Sequence, residues 1–425
     1  MSEATLPVGE NPTVPEKLSP VSSPERIEVL DMLRGLAILG ILMVNMALFF
    51  APFATMFTNS HWWDGPSNVV ARVIIQFFAQ GKFYTLFSFL FGMGLAIQME
   101  RAEAKGRKIG GFFARRMFFL LLIALCHGYL LWFGDILFLY SMLGFLLIAF
   151  RNCKPKTLKI WAVVLLLIFP VLQLVGGIIQ VAVAGIPEMA EQIAEQNAER
   201  QRSMDEAIAS SQAAYSQGTV GEVFLARAKE TSFQYLIALV AAPSVLAMFL
   251  LGLLFGKIGF FRRPEEFLPM VRRWIWPLLV VGVLTNGLFV FAGMQGSPME
   301  PSWWNMASVV GLGLGSPVMC FFYIFAVVLA VQTPRGAKLL SPLIPVGRMA
   351  LTNYLSHSLV FTTLSYSYGG ALYGRVPTVV GLGLTFVMFG LQILFSHWWL
   401  GRFRFGPVEW LWRSMTYGKL QPMRR

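Results

Sequence analysis

Windows of roughly 20 apolar residues, the length of a membrane-spanning helix, recur along this chain with short basic connectors between them. With 56% of 425 residues hydrophobic and 13% charged, and a mean hydropathy of +0.63, the chain cannot hide its apolar side chains in one soluble core. Lipid is its solvent. The expected fold is an all-α, polytopic membrane helix bundle. Ten spans are read, centred near Val44, Leu90, Ile123, Leu143, Leu166, Leu246, Val281, Cys320, Leu359 and Met388.

The charges test that count. With the N-terminus in the cytoplasm, the inner segments are 1–34, 99–116, 151–160, 257–273, 332–348 and 397–425, and they hold 27 of the 34 Lys and Arg residues. The outer segments hold five: four between Pro187 and Glu230, and Arg375. This is the split that positive-inside insertion produces, and moving any one span would reverse it downstream. Both termini are therefore expected in the cytoplasm. The net charge of +12 is accounted for by topology, so it is not read as a nucleic-acid footprint.

Residues 1–25 are rich in Pro, Ser and Glu and are expected to be a disordered cytoplasmic segment. No small-residue cleavage site follows span one, which reads as an uncleaved anchor. Cys126, Cys153 and Cys320 have no paired spacing and imply neither metal nor disulfide. Four segments result: 1–25, a five-span half over 26–186, a polar insertion at 187–230, and a second five-span half over 231–425. The insertion has eight acids to four bases and good helix formers, and is expected as a solvated helical cap or hairpin on the outer face. Residues 67–79 are too short to span alone and fit the outer interface or an extension of span two. The closing stretch RFRFGPVEWLWRSMTYGKLQPMRR fits the inner interface, with rings at headgroup depth and guanidinium groups on lipid phosphate.

An ionisable group at membrane depth costs at least about 2.5–3.5 kcal/mol on insertion scales, so each must face the bundle or a wet cavity. At the inner level stand Asp31 and Arg34, neighbours on one helical face, with Arg348, Asn353 and Tyr354 at the start of span nine. Asp31 and Arg34 can anchor the helix start, or form a bundle-facing pair that receives an anionic headgroup. His357 lies deeper and can equally be a packing histidine. At the outer level, Asn45 lies 14 residues beyond Asp31, about 21 Å along a helix. His61 and Asp64 follow in NSHWWDG; Lys82 begins span two; His127 is on span three and Asp135 opens span four. Asn45, His61, Lys82, His127, Asp64 and Asp135 are expected to converge on one polar cavity. A neutral His accepts a proton near pH 7 and an Asn amide polarises a carbonyl, so the set suits acyl transfer to an amine or hydroxyl. No Ser occupies a nucleophile elbow and no two His have metal-ligand spacing, which argues against a serine mechanism and a metal site.

The stretches RIEVLDMLRGLAILGILMVNM, GKFYTLFSFLFGMGLAIQMER, LLWFGDILFLYSMLGFLL and GRMALTNYLSHSL, with HWWLGRFRFGPVEWLWRSMTYGKLQP near the C-terminus, resemble the YeiB family of bacterial inner-membrane proteins. The resemblance covers nearly all of the chain from Arg26 and implies a multi-pass protein of the cytoplasmic membrane with a C-terminal domain of unknown function. More distantly, the N-terminal part is similar to the catalytic region of heparan-α-glucosaminide N-acetyltransferases, which pass an acetyl group from acetyl-CoA to a sugar amine across a bilayer. Their first-span pattern falls on Asp31, Arg34, Gly35, Val44 and Asn45, and the nearest match to their catalytic His is His61, after a longer loop here. This resemblance implies acyl-CoA as co-substrate, entering past Asp31, Arg34 and Arg348, with Asn45 polarising the acyl carbonyl and His61 or His127 deprotonating a small-molecule or lipid-linked acceptor at the outer face. The competing expectation is a transporter or lipid flippase using Lys82, His127 and Asp135, and the third is a membrane scaffold or accessory subunit.

Overall fold

Prolines open many of the helices, because a residue in the first turn needs no amide hydrogen. The computed structural model describes residues 27–58, 63–106, 109–296 and 302–425; the N-terminal segment 1–25 and His61 lie outside the described residues. The first half contains α1 (Glu28–Phe50), α2 (Pro66–Phe78), α3 (Lys82–Glu103), α4 (Gly110–Cys126), α5 (Leu137–Leu147) and α6 (Pro155–Ala184). The segment from Pro187 to Gln217 is helix α7, which turns at Gly218–Thr219 into α8 (Val220–Lys257). That turn carries a reciprocal cap between Thr219 and Glu222, which satisfies two amide donors at the start of α8. There follow α9 (Pro264–Gln295), α10 (Trp303–Ala330), α11 (Pro334–Leu340), α12 (Leu343–Arg348), α13 (Ala350–Ser365), α14 (Thr378–Arg402) and α15 (Pro407–Tyr417).

The molecule is an all-α, polytopic membrane bundle: among the described residues, eight helical stretches are long and apolar enough to cross a bilayer. The windows centred on Leu143 and Leu359 correspond to shorter helices, Leu137–Phe150 and Ala350–Ser365. Broken helices are tolerated at membrane depth only where their freed backbone groups are buried in protein, and both short helices belong to the core. Burial sorts the others: 56% of the apolar window of α1 is buried, against 12% for α6. Helix α1 and, to the same degree, the stretch over α2 and α3 lie in the interior, while α6 offers lipid a surface including Ile160, Trp161, Val171 and Leu172.

Two glycines let α3 and α8 touch backbone to backbone. A Cβ at Gly92 would collide with the carbonyl of Phe249, and one at Gly252 with the carbonyl of Phe89. Small residues permit such contact where lipid supplies no hydrophobic drive. Gly252→Val is expected to cost about 1–3 kcal/mol or more, read as a lower thermal midpoint in detergent; an unchanged midpoint would show that this crossing is loose.

Candidate functional site

The crossing of α1 and α12 is equally tight. A Cβ at Gly35 would meet Leu343, and one at Gly347 the carbonyl of Asp31, so Arg348 is held beside the first turns of α1. There Arg34 donates to Asp31 at 2.7 Å. The C-terminal tail closes the opposite wall rather than simply lying along lipid: α15 packs on α4, where the Arg116 guanidinium sits 3.7 Å from the Trp412 ring centroid and Trp412 Nε1 donates to the Arg116 carbonyl at 2.9 Å.

These helices enclose a cavity of about 270 Å³ at the basic end of the bundle. Its polar wall carries five arginines, Arg34, Arg101, Arg116, Arg348 and Arg413, and two acids, Asp31 and Glu409. The excess of three positive charges favours an anion. Farther in, the wall turns apolar through Ile38, Phe87, Leu90, Phe91 and Leu120, and it reaches Ile136 and Tyr354.

Glu409 also holds the start of α13, which has no side-chain cap of its own. Its Oε1 accepts the Leu351 and Thr352 amides at 2.7 and 3.0 Å, and the Thr352 hydroxyl donates to its other oxygen. Burial pushes the carboxyl above its usual range, opposed by these donors. Glu409→Ala leaves two helix-terminal amides without their acceptor, and a loss of about 1–3 kcal/mol is expected, visible in the same thermal assay. Glu409→Gln, which keeps one acceptor oxygen, is expected to lose less.

Helix α4 ends at Cys126, and the backbone widens into a π turn over His127–Leu131, a local form frequent at functional sites. The chain then returns through Trp132, Phe133 and Gly134 to Asp135. One oxygen of Asp135 accepts the Phe138 amide at 2.8 Å; the other lies 2.6 Å from His127 Nδ1. On the far side of the ring, Nε2 lies 2.7 Å from the hydroxyl of Ser358. All three side chains are buried. This geometry admits the arrangement in which Nδ1 donates to the Asp135 carboxylate and Nε2 accepts the hydrogen of Ser358. A hydroxyl, a base and an orienting acid thus stand in sequence, the arrangement that activates a nucleophile. Tyr354, one turn before Ser358, stands between this chain and the cavity. Its ring centroid is 5.2 Å from that of His127, and its hydroxyl donates to the Gly134 carbonyl at 3.2 Å.

The expected residues are divided among several places. Asp31, Arg34 and Arg348 line the cavity; His127 and Asp135 pair just beyond its deep end. Asn45 is half-buried on α1, one turn past Ile41, where the cavity wall on that helix ends. Lys82 is fully buried elsewhere, donating to the Gln76 carbonyl at 2.8 Å and lying 5.6 Å from the Phe289 ring. His357 meets Gln392 at 3.0 Å, and Gln392 donates to the Asn353 carbonyl at 2.9 Å. The Asn353 amide in turn donates to Val346 and Ser396, so these residues tie α12, α13 and α14 together. Among the described residues no three His, Cys, Asp or Glu side chains converge as a metal site. Sequence reasoning missed Ser358, Arg101, Arg116 and Arg413. The arginines carried only a topological signal, and Ser358 carried none, being 231 residues from His127.

Residues 255–419 match the family described as "Protein of unknown function (DUF418)". Over 423 residues the chain is 35% identical to the uncharacterised protein YxaH of Bacillus subtilis (strain 168), covering 96% of this chain and 98% of that protein. Over 401 residues it is 31% identical to the uncharacterised protein YeiB of Escherichia coli (strain K12), covering 92% and 96%. Sharing nearly its whole length with these relatives, the chain belongs to the YeiB-like family of proteins.

Proposed function

We propose that this protein is an acyltransferase-like enzyme of the bacterial inner membrane that takes an acyl group from acyl-CoA at the cytoplasmic face and passes it to a small-molecule or lipid-linked acceptor reached from the outer face. The observation that carries this reading is the cavity itself. Arginines surround its mouth, apolar side chains line its interior, and a histidine oriented by a carboxylate stands behind the aromatic ring at its end.

Guanidinium groups pair with phosphate oxygens bidentately, and an acyl chain gains by leaving water. A cavity of about 270 Å³ is near the lower bound of small-molecule sites, about 300 Å³. It suits the acyl thioester end of a donor whose nucleotide stays at the mouth. His127 is then the general base in place of His61, and Asn45, one turn above the cavity, is the candidate to polarise the acyl carbonyl. The test is thiol release from acetyl-CoA and palmitoyl-CoA by the full chain in liposomes. Saturable release above that of empty liposomes is expected, and its absence with both donors would overturn the reading.

A transporter is the second reading, favoured by Lys82, which is buried in the membrane region away from the cavity. It predicts uptake or flipping of an anionic solute or lipid without thiol release.

A further inference from the structure

We infer that Ser358 is a nucleophile that carries the acyl group as a covalent ester between donor and acceptor. This rests on the acyl-transfer reading and adds a step to it. Many hydroxyls on the helices of this chain turn back onto the carbonyl one turn earlier, as Thr385 does to Gly381, Thr362 to Ser358 and Thr363 to Leu359. That bond is open to any helical Ser or Thr. Ser358 departs from it: its hydroxyl meets His127 Nε2. The only basic atom of the imidazole is therefore committed to this serine, and an acceptor hydroxyl or amine would have to displace Ser358 to be deprotonated directly.

Parking the acyl group on the protein lets the spent donor leave before the acceptor arrives. A second polar group lies unused nearby. Trp132 is fully buried, its Nε1–H has no hydrogen-bond partner among the described residues, and its ring centroid is 6.5 Å from that of His127. Buried donors without partners are rare and call for an explanation; stabilising the oxyanion of a tetrahedral intermediate is one that fits this place.

In the first step the Ser358 oxygen attacks the thioester carbonyl and its proton passes to His127 Nε2. The carbon–sulfur bond breaks, and that proton leaves on the CoA thiolate. In the second step the acceptor attacks the Ser358 ester, His127 takes the acceptor's proton and returns it to the Ser358 oxygen, and the acylated acceptor departs. Atoms and charges balance with no further reagent. Access requires the Tyr354 ring to turn aside.

The experiment treats the full chain in liposomes with radiolabelled acetyl-CoA or palmitoyl-CoA without acceptor, and separately with a biotinylated fluorophosphonate, then maps the modified peptide by mass spectrometry. The expected result is both adducts on Ser358 of the wild-type protein, abolished in Ser358→Ala and His127→Ala. Ser358→Cys is expected to give a thioester released by neutral hydroxylamine. Labelled CoA should also exchange into acyl-CoA without acceptor, as a covalent intermediate requires. Thiol release with neither adduct on Ser358 would overturn the nucleophile and leave direct transfer standing. A fluorophosphonate adduct on Ser358 without thiol release would uphold the nucleophile and reject the acyl-CoA donor. Neither adduct and no release would reject both.

Discussion

Asp135→Asn is expected to lower acyl-CoA turnover roughly 10³–10⁴-fold while the protein stays folded. The amide oxygen can keep the Phe138 N–H that Asp135 now accepts, so the start of α5 survives. Its NH₂ group, however, would face His127 Nδ1, where a carboxylate oxygen now lies at 2.6 Å. The imidazole would then carry its hydrogen on Nε2 and donate to Ser358 rather than accept from it. That is the wrong tautomer for a base. Because Asp135 acts through His127 and touches no substrate, kcat is expected to fall with little change in KM. Initial thiol-release rates at saturating donor, set beside the thermal midpoint, decide the matter; a rate within a few-fold of wild type would remove the His127–Asp135 pair from the chemistry.

Neutralising the cavity mouth should give the opposite kinetic pattern. Arg34→Gln and Arg348→Gln each remove one guanidinium from the polar wall. A hydrogen bond to a charged group contributes about 1.5–3 kcal/mol, so KM for acyl-CoA is expected to rise about 10- to 100-fold in each variant, with kcat much less affected. The informative control is an acyl-pantetheine, which has the thioester but no phosphate. With that donor the variants and wild type should coincide. An unchanged KM with acyl-CoA would show that the phosphates bind elsewhere. Equal losses with both donors would mean that the substitutions disturb the crossing of α1 and α12.

The lipid-spanning helices were legible in the chain because an apolar run of sufficient length has few alternatives in water or in lipid. The two windows whose helices are short, around Leu143 and Leu359, were legible as apolar but not as broken. Asp135 and the stretch after Ser365 interrupt helix for reasons of tertiary pairing that hydropathy averages away. The pairing of His127 with Asp135 was within reach, since eight residues and one turn separate them. A single chamber shared by Asn45, His61, Asp64, Lys82, His127 and Asp135 was expected, whereas the fold sends Lys82 to Gln76 and Phe289 and leaves Asn45 above the cavity. Residues from the other half complete the site: Tyr354 and Ser358 on α13, and Arg413 and Trp412 on α15.

By itself the sequence determined the solvent of this protein, its helical class, and the end of the bundle that gathers its arginines, because transfer free energy and charge bias are sums over residues and need no knowledge of neighbours. Only the tertiary structure decided which side of each helix faces which partner. That choice follows from backbone contact at glycines such as Gly35 and Gly347 and from hydrogen bonds that reach across hundreds of residues, and it is what brings a serine of one half onto a histidine of the other.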